Sequence, residues 1–481
     1  MLLSNIVEVL EPKEVILLKK NSNIKYITSN SKLVRKNSIY VFDRKKNVKK
    51  IYIKEAIENG ATAILTNKKI KDINLSLIIV NNLSEVVDII LNLLKPFPPK
   101  NIIGITGTNG KTSVVWLVSN IISLCGSNVK SLGTLGFYKN IKKISSSILT
   151  TPEKEELHQF SYSSSFQNQE FIFEISSHAI SKNRIKNLPI NVAAITNISQ
   201  DHLDFHKNFK NYKKTKFKLF TKYLSEKGTA IINDNIKGIN YLKNILKKNN
   251  AKIITYGKNK SDISCINTKK GLKIKIYSKF YLVKLFKINN FELENISCSI
   301  CCCLSIGINI SKIINLLNKI SKPDGRMQFV NSLYNEAKVY VDYAHTPNAL
   351  KNILESNNYK SKKPSLVFGC GGNRDKNKRE LMGKIANKYA KKIYITDDNP
   401  RNENPDNIRK TINFYCPRAY NIGNRKKAIQ TAIKNLKTKE ILIIAGKGHE
   451  KKQIIKNKTI NFDDVKIANN FIKKINIKKN E

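Results

Sequence analysis

IIGITGTNGKTS, residues 102–113, followed at once by VVWLVSNIISL, residues 114–124, is the stretch on which the reading of this chain turns. It has the pattern of an apolar strand, a glycine-rich turn and an apolar helix. That order aims backbone N–H groups and the positive end of a helix dipole at one point, where phosphate is held. Gly107, Thr108, Asn109 and Gly110 would form the loop, with Lys111 on the outer phosphates, Thr112 reaching Mg²⁺, and Ser113 completing the nucleotide contacts. The spacing departs from the general G-x-x-x-x-G-K-[ST] pattern, because position 105 is Ile and the first loop glycine is Gly107. A tight turn alone would account for the glycines, but not for Gly-Lys-Thr directly before a helix.

The chain around this loop has 481 residues, more than one hydrophobic core serves, since cores stop growing near roughly 250 to 300 residues. Prolines at Lys95-Pro96-Phe97-Pro98-Pro99-Lys100 forbid helix and sheet alike and mark one linker; Lys322-Pro323-Asp324-Gly325-Arg326 marks a second boundary. The third segment alternates strand candidates, Lys338–Asp342, Ser365–Phe368, Lys392–Thr396 and Ile441–Ala445, with helical stretches. An α/β chain follows, with parallel, doubly wound sheets expected in segments two and three.

Lys and Arg total 86 against 36 Asp and Glu, a net charge of +50. The lysines are spread along the chain with Asn and Ile rather than gathered in a stripe with interleaved aromatics, so a compositional bias is read here and no specific nucleic-acid partner is expected. Cys298, Cys301, Cys302 and Cys303 lie within ISCSICCCLSIGI without a second ligand pair, as buried thiols on a helix would. No apolar run is long enough to span a membrane and the first residues lack a signal pattern, so a cytoplasmic protein is expected.

GTNGKT is shared by Mur ligases and folylpolyglutamate synthases. EISSHAISKNRI (174–185), TNISQDHLDFH (196–206), YKKTKFKLF (212–220), DYAHTPNAL (342–350), GCGGNRDKNKR (369–379), DDNPR (397–401) and AGKGHE (445–450) then follow in the order of the MurE branch of the Mur ligases. The chain thus resembles that family over nearly its whole length. Five of its six histidines fall inside these motifs, a clustering that favours chemistry. Thr112 after Lys111, where folylpolyglutamate synthases usually carry Gly, and the DNPR run separate it from that rival.

The resemblance implies three domains: residues 1–98 for a UDP-muramoyl substrate, a central P-loop-type ATPase domain at 99–324, and a Rossmann-like C-terminal domain at 325–481 that binds an amino acid. It implies an ATP-dependent carbon–nitrogen ligase of peptidoglycan synthesis, and so of cell-wall biogenesis, cell shape and division. Such a ligase adds meso-2,6-diaminopimelate to UDP-N-acetylmuramoyl-L-alanyl-D-glutamate through an acyl phosphate. A monomer is the expectation. Glu174 closes the apolar run FIFEI, where a buried carboxylate calls for a cation or hydrogen bonds. With Thr112 and His202 it matches metal positions, and Lys216 matches the lysine that becomes a carbamate, an N6-carboxylysine, and completes the Mg²⁺ ligands. Asn295, Arg326, Asp342 and His345 match nucleotide positions.

Ser31, Thr150, Thr151, Ser176, Lys182 and Arg184 match muramoyl-dipeptide positions, although Asn30-Ser31-Lys32 stands for the usual Asp-Ser-Arg and Lys182 for Gln. Arg374, Asp398, Asn399, Pro400, Arg401, Gly446 and Glu450 match the diaminopimelate site. There, two guanidinium forks suit a distal carboxylate that lysine lacks, and Glu450 would pair with the distal ammonium.

Overall fold

The computed structural model describes all residues except 17–18, 44–50, 95–97, 148, 163–168, 286–287, 356–362 and 481. Of the expected linker at Lys95–Lys100, residues 95–97 therefore lie outside the described residues. The chain forms two compact units, one of residues 1–102, 151–171 and 178–190, the other of 103–150, 172–177 and 191–481.

In the first unit five strands lie in the order Glu14–Ile16, Ser76–Ile79, Ala61–Thr66, Ser38–Phe42 and Tyr26–Thr28. Only the first pair is antiparallel. Side chains two apart share a face of a strand. Ile39, Val41, Ala63 and Leu65 accordingly pack under the helices Leu3–Leu10 and Leu83–Leu93, and Tyr40, Phe42 and Ile64 under the helix Ile51–Glu58.

The same alternation builds the C-terminal sheet of the second unit, ordered Gln328–Ser332, Lys338–Asp342, Ile441–Ala445, Ser365–Phe368, Ile393–Ile395 and Tyr420–Asn421. Ile443 and Ala445 join Leu366, Phe368, Ile393 and Ile395 against the helices Pro347–Leu354, Asn377–Tyr389 and Pro405–Phe414. Leu442 and Ile444 join Val339, Val367 and Tyr394 against Arg425–Lys434 and Asp464–Asn480. Helices thus cover both faces. All strand pairs given for this sheet are parallel except the first, so the doubly wound expectation holds from Lys338 onward.

The larger sheet, of eleven strands among the described residues, departs from that expectation because it is mixed. Asn101–Thr106 pairs in parallel with Ile190–Ile195, and Leu224–Asn233 with Lys252–Tyr256. Both ends of the sheet are antiparallel. Only two residues, Thr134 and Leu135, join Val129–Gly133 to Gly136–Lys139, too few for a parallel crossover. Gly271–Ile276 alternates apolar residues with lysine, burying Leu272, Ile274 and Ile276 and leaving Lys273 in solvent, as an edge-region antiparallel strand does. Cys298, Cys301, Cys302 and Cys303 are fully buried on the helix Asn290–Ser305 within this sheet's core, and the described cysteines are all free thiols.

Candidate active site

The phosphate-binding loop leaves the buried end of strand Asn101–Thr106 and enters the helix Lys111–Leu124. Gly107 and Gly110 adopt φ of 144° and 87°. A Cβ there would stand 1.8 Å from Thr196 Oγ1 and 2.4 Å from Asn295 Oδ1, so nothing larger than glycine fits either position. This places Asn295, itself buried, against the loop. The TNISQ segment clamps the loop from below. Thr196 Oγ1 and Asn197 Nδ2 donate to Asn109 O at 2.6 and 3.0 Å, and Thr108 Oγ1 donates to Ser199 O at 3.1 Å. Thr196 and Asn197 belong to a motif visible in the sequence, yet their role in shaping the loop emerges only from the fold.

Lys111 Nζ folds over the loop and donates to Gly107 O and Thr108 O, both at 2.8 Å. Burial pushes its pKa down and Arg326 adds to this, while Glu174 and Asp201 oppose it. Thr112 Oγ1 donates to Glu174 Oε1 at 3.0 Å and accepts from Arg326 Nη2 at 3.0 Å. Glu174, 1% exposed, also accepts from Thr134 N at 2.7 Å and Thr134 Oγ1 at 3.1 Å. These bonds are the compensation that a buried carboxylate at the end of an apolar strand requires. Thr134 carries no signal in the sequence, because it sits in a two-residue turn with no pattern of its own. A small pocket beside Thr112 and Glu174 is lined by Trp116, Leu132, Gly133 and Tyr138.

Four lysines crowd the segment 213–218, and the fold separates them. Lys214 and Lys218 are exposed and Lys213 is half-buried, whereas Lys216 is 1% exposed and donates to Gly107 O at 2.8 Å. Burial holds its pKa well below the ordinary lysine value, and the neighbouring Lys111 pushes it the same way. His202 has φ 52° and its Nε2 lies 3.3 Å from Asp201 Oδ2. Burial works against ionisation of Asp201, yet His202, His345, Lys378 and Lys111 hold its carboxyl below the usual range. Asp201 is thus the anionic centre of this side of the loop, which the sequence alone did not distinguish within QDHLD. Among the described residues no three His, Cys, Asp or Glu side chains converge as a preformed metal group. Thr112 and Glu174 do set two hard oxygens side by side at the phosphate loop, the donor type that Mg²⁺ takes.

Arg326 stacks over Tyr343 at 4.4 Å, and the Tyr343 ring lies 4.7 Å from His345 and 5.1 Å from His449. His345 Nδ1 meets Tyr343 O at 2.9 Å, and burial followed by Lys378 lowers its pKa. Asp342 accepts from Met327 N and Ala344 N, both at 2.7 Å, so its two oxygens brace the backbone that carries Arg326. Burial pushes its pKa up against these bonds and against Arg326.

The DNPR loop lies beside the glycine run 369–372. Arg401, half-buried with φ 51°, donates from Nη1 to Gly372 O at 2.9 Å and Asn399 O at 3.4 Å. Burial and then Arg374 lower its pKa. Arg374 is exposed, and both guanidinium-bearing side chains flank Gly371. A Cβ at Gly372 would stand 1.9 Å from Pro400 O, and one at Gly446 2.7 Å from Asp398 Oδ2, so these residues set the close approach of three segments. Asn399 Nδ2 donates to Glu450 Oε2 at 3.1 Å. Arg374, Asp398, Asn399, Pro400, Arg401, Gly446 and Glu450 therefore gather in one place.

The muramoyl positions divide between the units. Ser31, Thr151, Lys182 and Arg184 belong to the first and Thr150 and Ser176 to the second. Ser31 Oγ donates to Glu55 Oε2 at 2.5 Å, and the Asn30 side chain caps the short turn by accepting from Lys32 N. Arg184 donates to Thr151 O at 2.9 Å and Glu153 Oε1 at 2.6 Å, which fixes the Thr-Pro-Glu turn, while Lys182 points to solvent. Thr150 Oγ1 accepts from Thr134 Oγ1 at 3.3 Å.

Comparison with known proteins places this geometry among relatives. The family model for the Mur ligase middle domain matches residues 105–303, and that for the Mur ligase glutamate ligase domain matches 325–448. A UDP-N-acetylmuramoyl-L-alanyl-D-glutamate--2,6-diaminopimelate ligase of Rickettsia bellii is 38% identical, with 93% of this chain and 95% of that protein covered. A protein of the same description from Rickettsia montanensis is 36% identical, with 94% and 96% covered. A solved structure of a ligase of that description is similar with a TM-score of 0.61 at 26% identity, over 98% of this chain and 99% of that one.

Proposed function

The chain belongs to the Mur ligase family, and we propose that it joins meso-2,6-diaminopimelate to UDP-N-acetylmuramoyl-L-alanyl-D-glutamate at the expense of ATP. Residues 1–98 are assigned to the UDP-muramoyl substrate, 99–324 to ATP and 325–481 to the amino acid. The observation that carries the reading is the junction at Thr112. Its hydroxyl meets Glu174 on one side and Arg326, from the segment that leads into the amino-acid-binding sheet, on the other.

In this reading a γ-carboxylate oxygen of the D-glutamyl residue attacks the γ-phosphorus of ATP and ADP leaves. The neutral amine of diaminopimelate then attacks the acyl carbon, loses a proton and expels phosphate. Lys111, Arg326 and the loop N–H groups hold and neutralise the phosphates, which is most of what phosphoryl transfer asks of a protein. Mg²⁺, when bound by Thr112, Glu174, His202 and a carbamate on Lys216, would supply further charge neutralisation at the transferring phosphoryl group. Burial of Lys216, with no carboxylate at ion-pair distance among the described residues, favours its neutral amine, the form that adds to CO₂ with loss of one proton. Arg374 and Arg401 receive the distal carboxylate of the amine substrate, and Glu450 its ammonium.

The test is phosphate release by the purified chain with the UDP-muramoyl dipeptide, ATP, Mg²⁺ and either diaminopimelate or L-lysine. Release with diaminopimelate is expected; equal release with lysine, or none, would overturn the reading.

A further inference from the structure

The motif AGKGHE contributes Gly446 and Glu450 to the amine site and places Lys447 between its two glycines. Gly446 and Gly448 take φ of 114° and 54°. Between them Lys447 is 0% exposed. A lysine taken wholly out of water is costly unless its donors are met and its charge is countered. Lys447 Nζ has two such partners, Glu450 Oε2 at 3.0 Å and Asn399 Oδ1 at 3.2 Å. Asn399 in turn donates from Nδ2 to the same Glu450 oxygen at 3.1 Å, and its Oδ1 also accepts from Ile454 N at 3.0 Å. The three side chains form a closed triangle, and Asn399, 5% exposed, has only one orientation of its amide that satisfies every bond.

The triangle joins the loop carrying Asn399, Pro400 and Arg401 to the turn carrying Glu450. One carboxylate oxygen of Glu450 is committed to Lys447 and Asn399. The other accepts none of the described hydrogen bonds, and the side chain keeps 34% of its exposure. We propose that Lys447 is a positioning residue of the amine site, its buried ammonium locking Glu450 and Asn399 together so that one oxygen of Glu450 is presented to the distal ammonium of the amino-acid substrate. The inference rests on the reading of this site as the diaminopimelate site.

Replacing Lys447 by Met keeps an unbranched side chain one atom shorter and removes its charge and donors. Glu450 then loses its buried cation and its fixed rotamer. The KM for diaminopimelate rises by about tenfold or more, as for loss of one charge-assisted hydrogen bond. The KM values for ATP and for the UDP-muramoyl dipeptide stay within about twofold, because Lys447 bonds to no residue assigned to either substrate.

The experiment measures all three KM values and kcat in the wild type, Lys447→Met, Glu450→Gln and the double variant. If Lys447 acts through Glu450, the double variant is little worse than Glu450→Gln alone, since coupled residues are not additive. A diaminopimelate KM unchanged in Lys447→Met, or losses that multiply in the double variant, would overturn the proposal. So would a Lys447→Met chain that fails to fold, or a rise in all three KM values together, since either places Lys447 in general stability. A wild type that does not turn over diaminopimelate would instead overturn the functional reading and, with it, this inference.

Discussion

Arg401→Ala removes the guanidinium that the DNPR sequence contributes to the amine site, and the structure sets the size of the effect. Nη1 of Arg401 is already held by Gly372 O and Asn399 O, which leaves Nε and Nη2 as the fork for a carboxylate. A hydrogen-bonded pair of this charged kind contributes about 1.5–3 kcal/mol. Arg401 is only half-buried and Arg374 remains beside it, so the lower part of that range applies. The expected fall in kcat/KM for diaminopimelate is roughly 10- to 30-fold, at about 1.4 kcal/mol per factor of ten. For L-lysine, which has no second carboxylate, kcat/KM changes little, so the preference narrows by the same factor. Because Arg401 sits at φ 51°, Arg401→Gly makes a second comparison. It loses the same kinetic factor, yet it relieves a left-handed backbone that disfavours side chains by about 1 kcal/mol and should unfold at a higher temperature than Arg401→Ala. Steady-state kinetics with both amines and thermal unfolding of both variants form the assay. An Arg401→Ala enzyme that keeps its full preference for diaminopimelate would refute the reasoning.

Three further outcomes are expected. Lys216→Ala abolishes phosphate release, and acetate partly restores it by placing a carboxylate in the vacated space; full activity without additive contradicts a carbamate role. Asp464→Asn strips the fully buried Arg425 of its carboxylate partner, bonded at 2.7 and 2.9 Å, and destabilises the chain by about 3–5 kcal/mol in denaturant unfolding, whereas replacing both residues by leucine loses less. His449 is held down to about 3, chiefly by burial and then by Arg326, against 6.5 for a free histidine. The unfolded chain therefore binds a proton that the folded chain refuses, and this share of stability is complete above about pH 6.5 and is lost as pH falls toward 3. His449→Gln should flatten the decline by up to about 1.4 kcal/mol per pH unit. Parallel curves for wild type and variant would contradict it.

The sequence carried the local parts of this account and left the long-range parts to the fold. The phosphate loop was legible because Gly-Thr-Asn-Gly-Lys-Thr between a strand and a helix is a local device. The C-terminal strands were legible because each is a short apolar run bounded by breakers; the expected Lys392–Thr396 shortens only to Ile393–Ile395. The antiparallel ends of the larger sheet depart from the parallel expectation because two-residue joints between Val129 and Lys139 and between Ile263 and Val283 leave no room for a crossover. Residues whose task is to hold others were also hidden. Thr134 under Glu174, Asp201 beside His202, and Lys447 between Asn399 and Glu450 acquire meaning only from partners distant in the chain or from burial. Lys216 is the reverse case, since its motif marked it out among neighbouring lysines and the fold supplies the physical distinction, a side chain 1% exposed at the loop carbonyl of Gly107.

In the proposed reaction this chain couples ATP cleavage to bond formation between a muramoyl dipeptide and diaminopimelate. Mass spectrometry of the product, alongside phosphate release, tests it most directly. Phosphate is expected only when ATP, Mg²⁺, the UDP-muramoyl dipeptide and diaminopimelate are all present. One UDP-linked product should then form, heavier than the dipeptide by diaminopimelate less one water. Phosphate release that ignores the amine, a product carrying lysine as readily, or a glutamate-extended folate instead would contradict it.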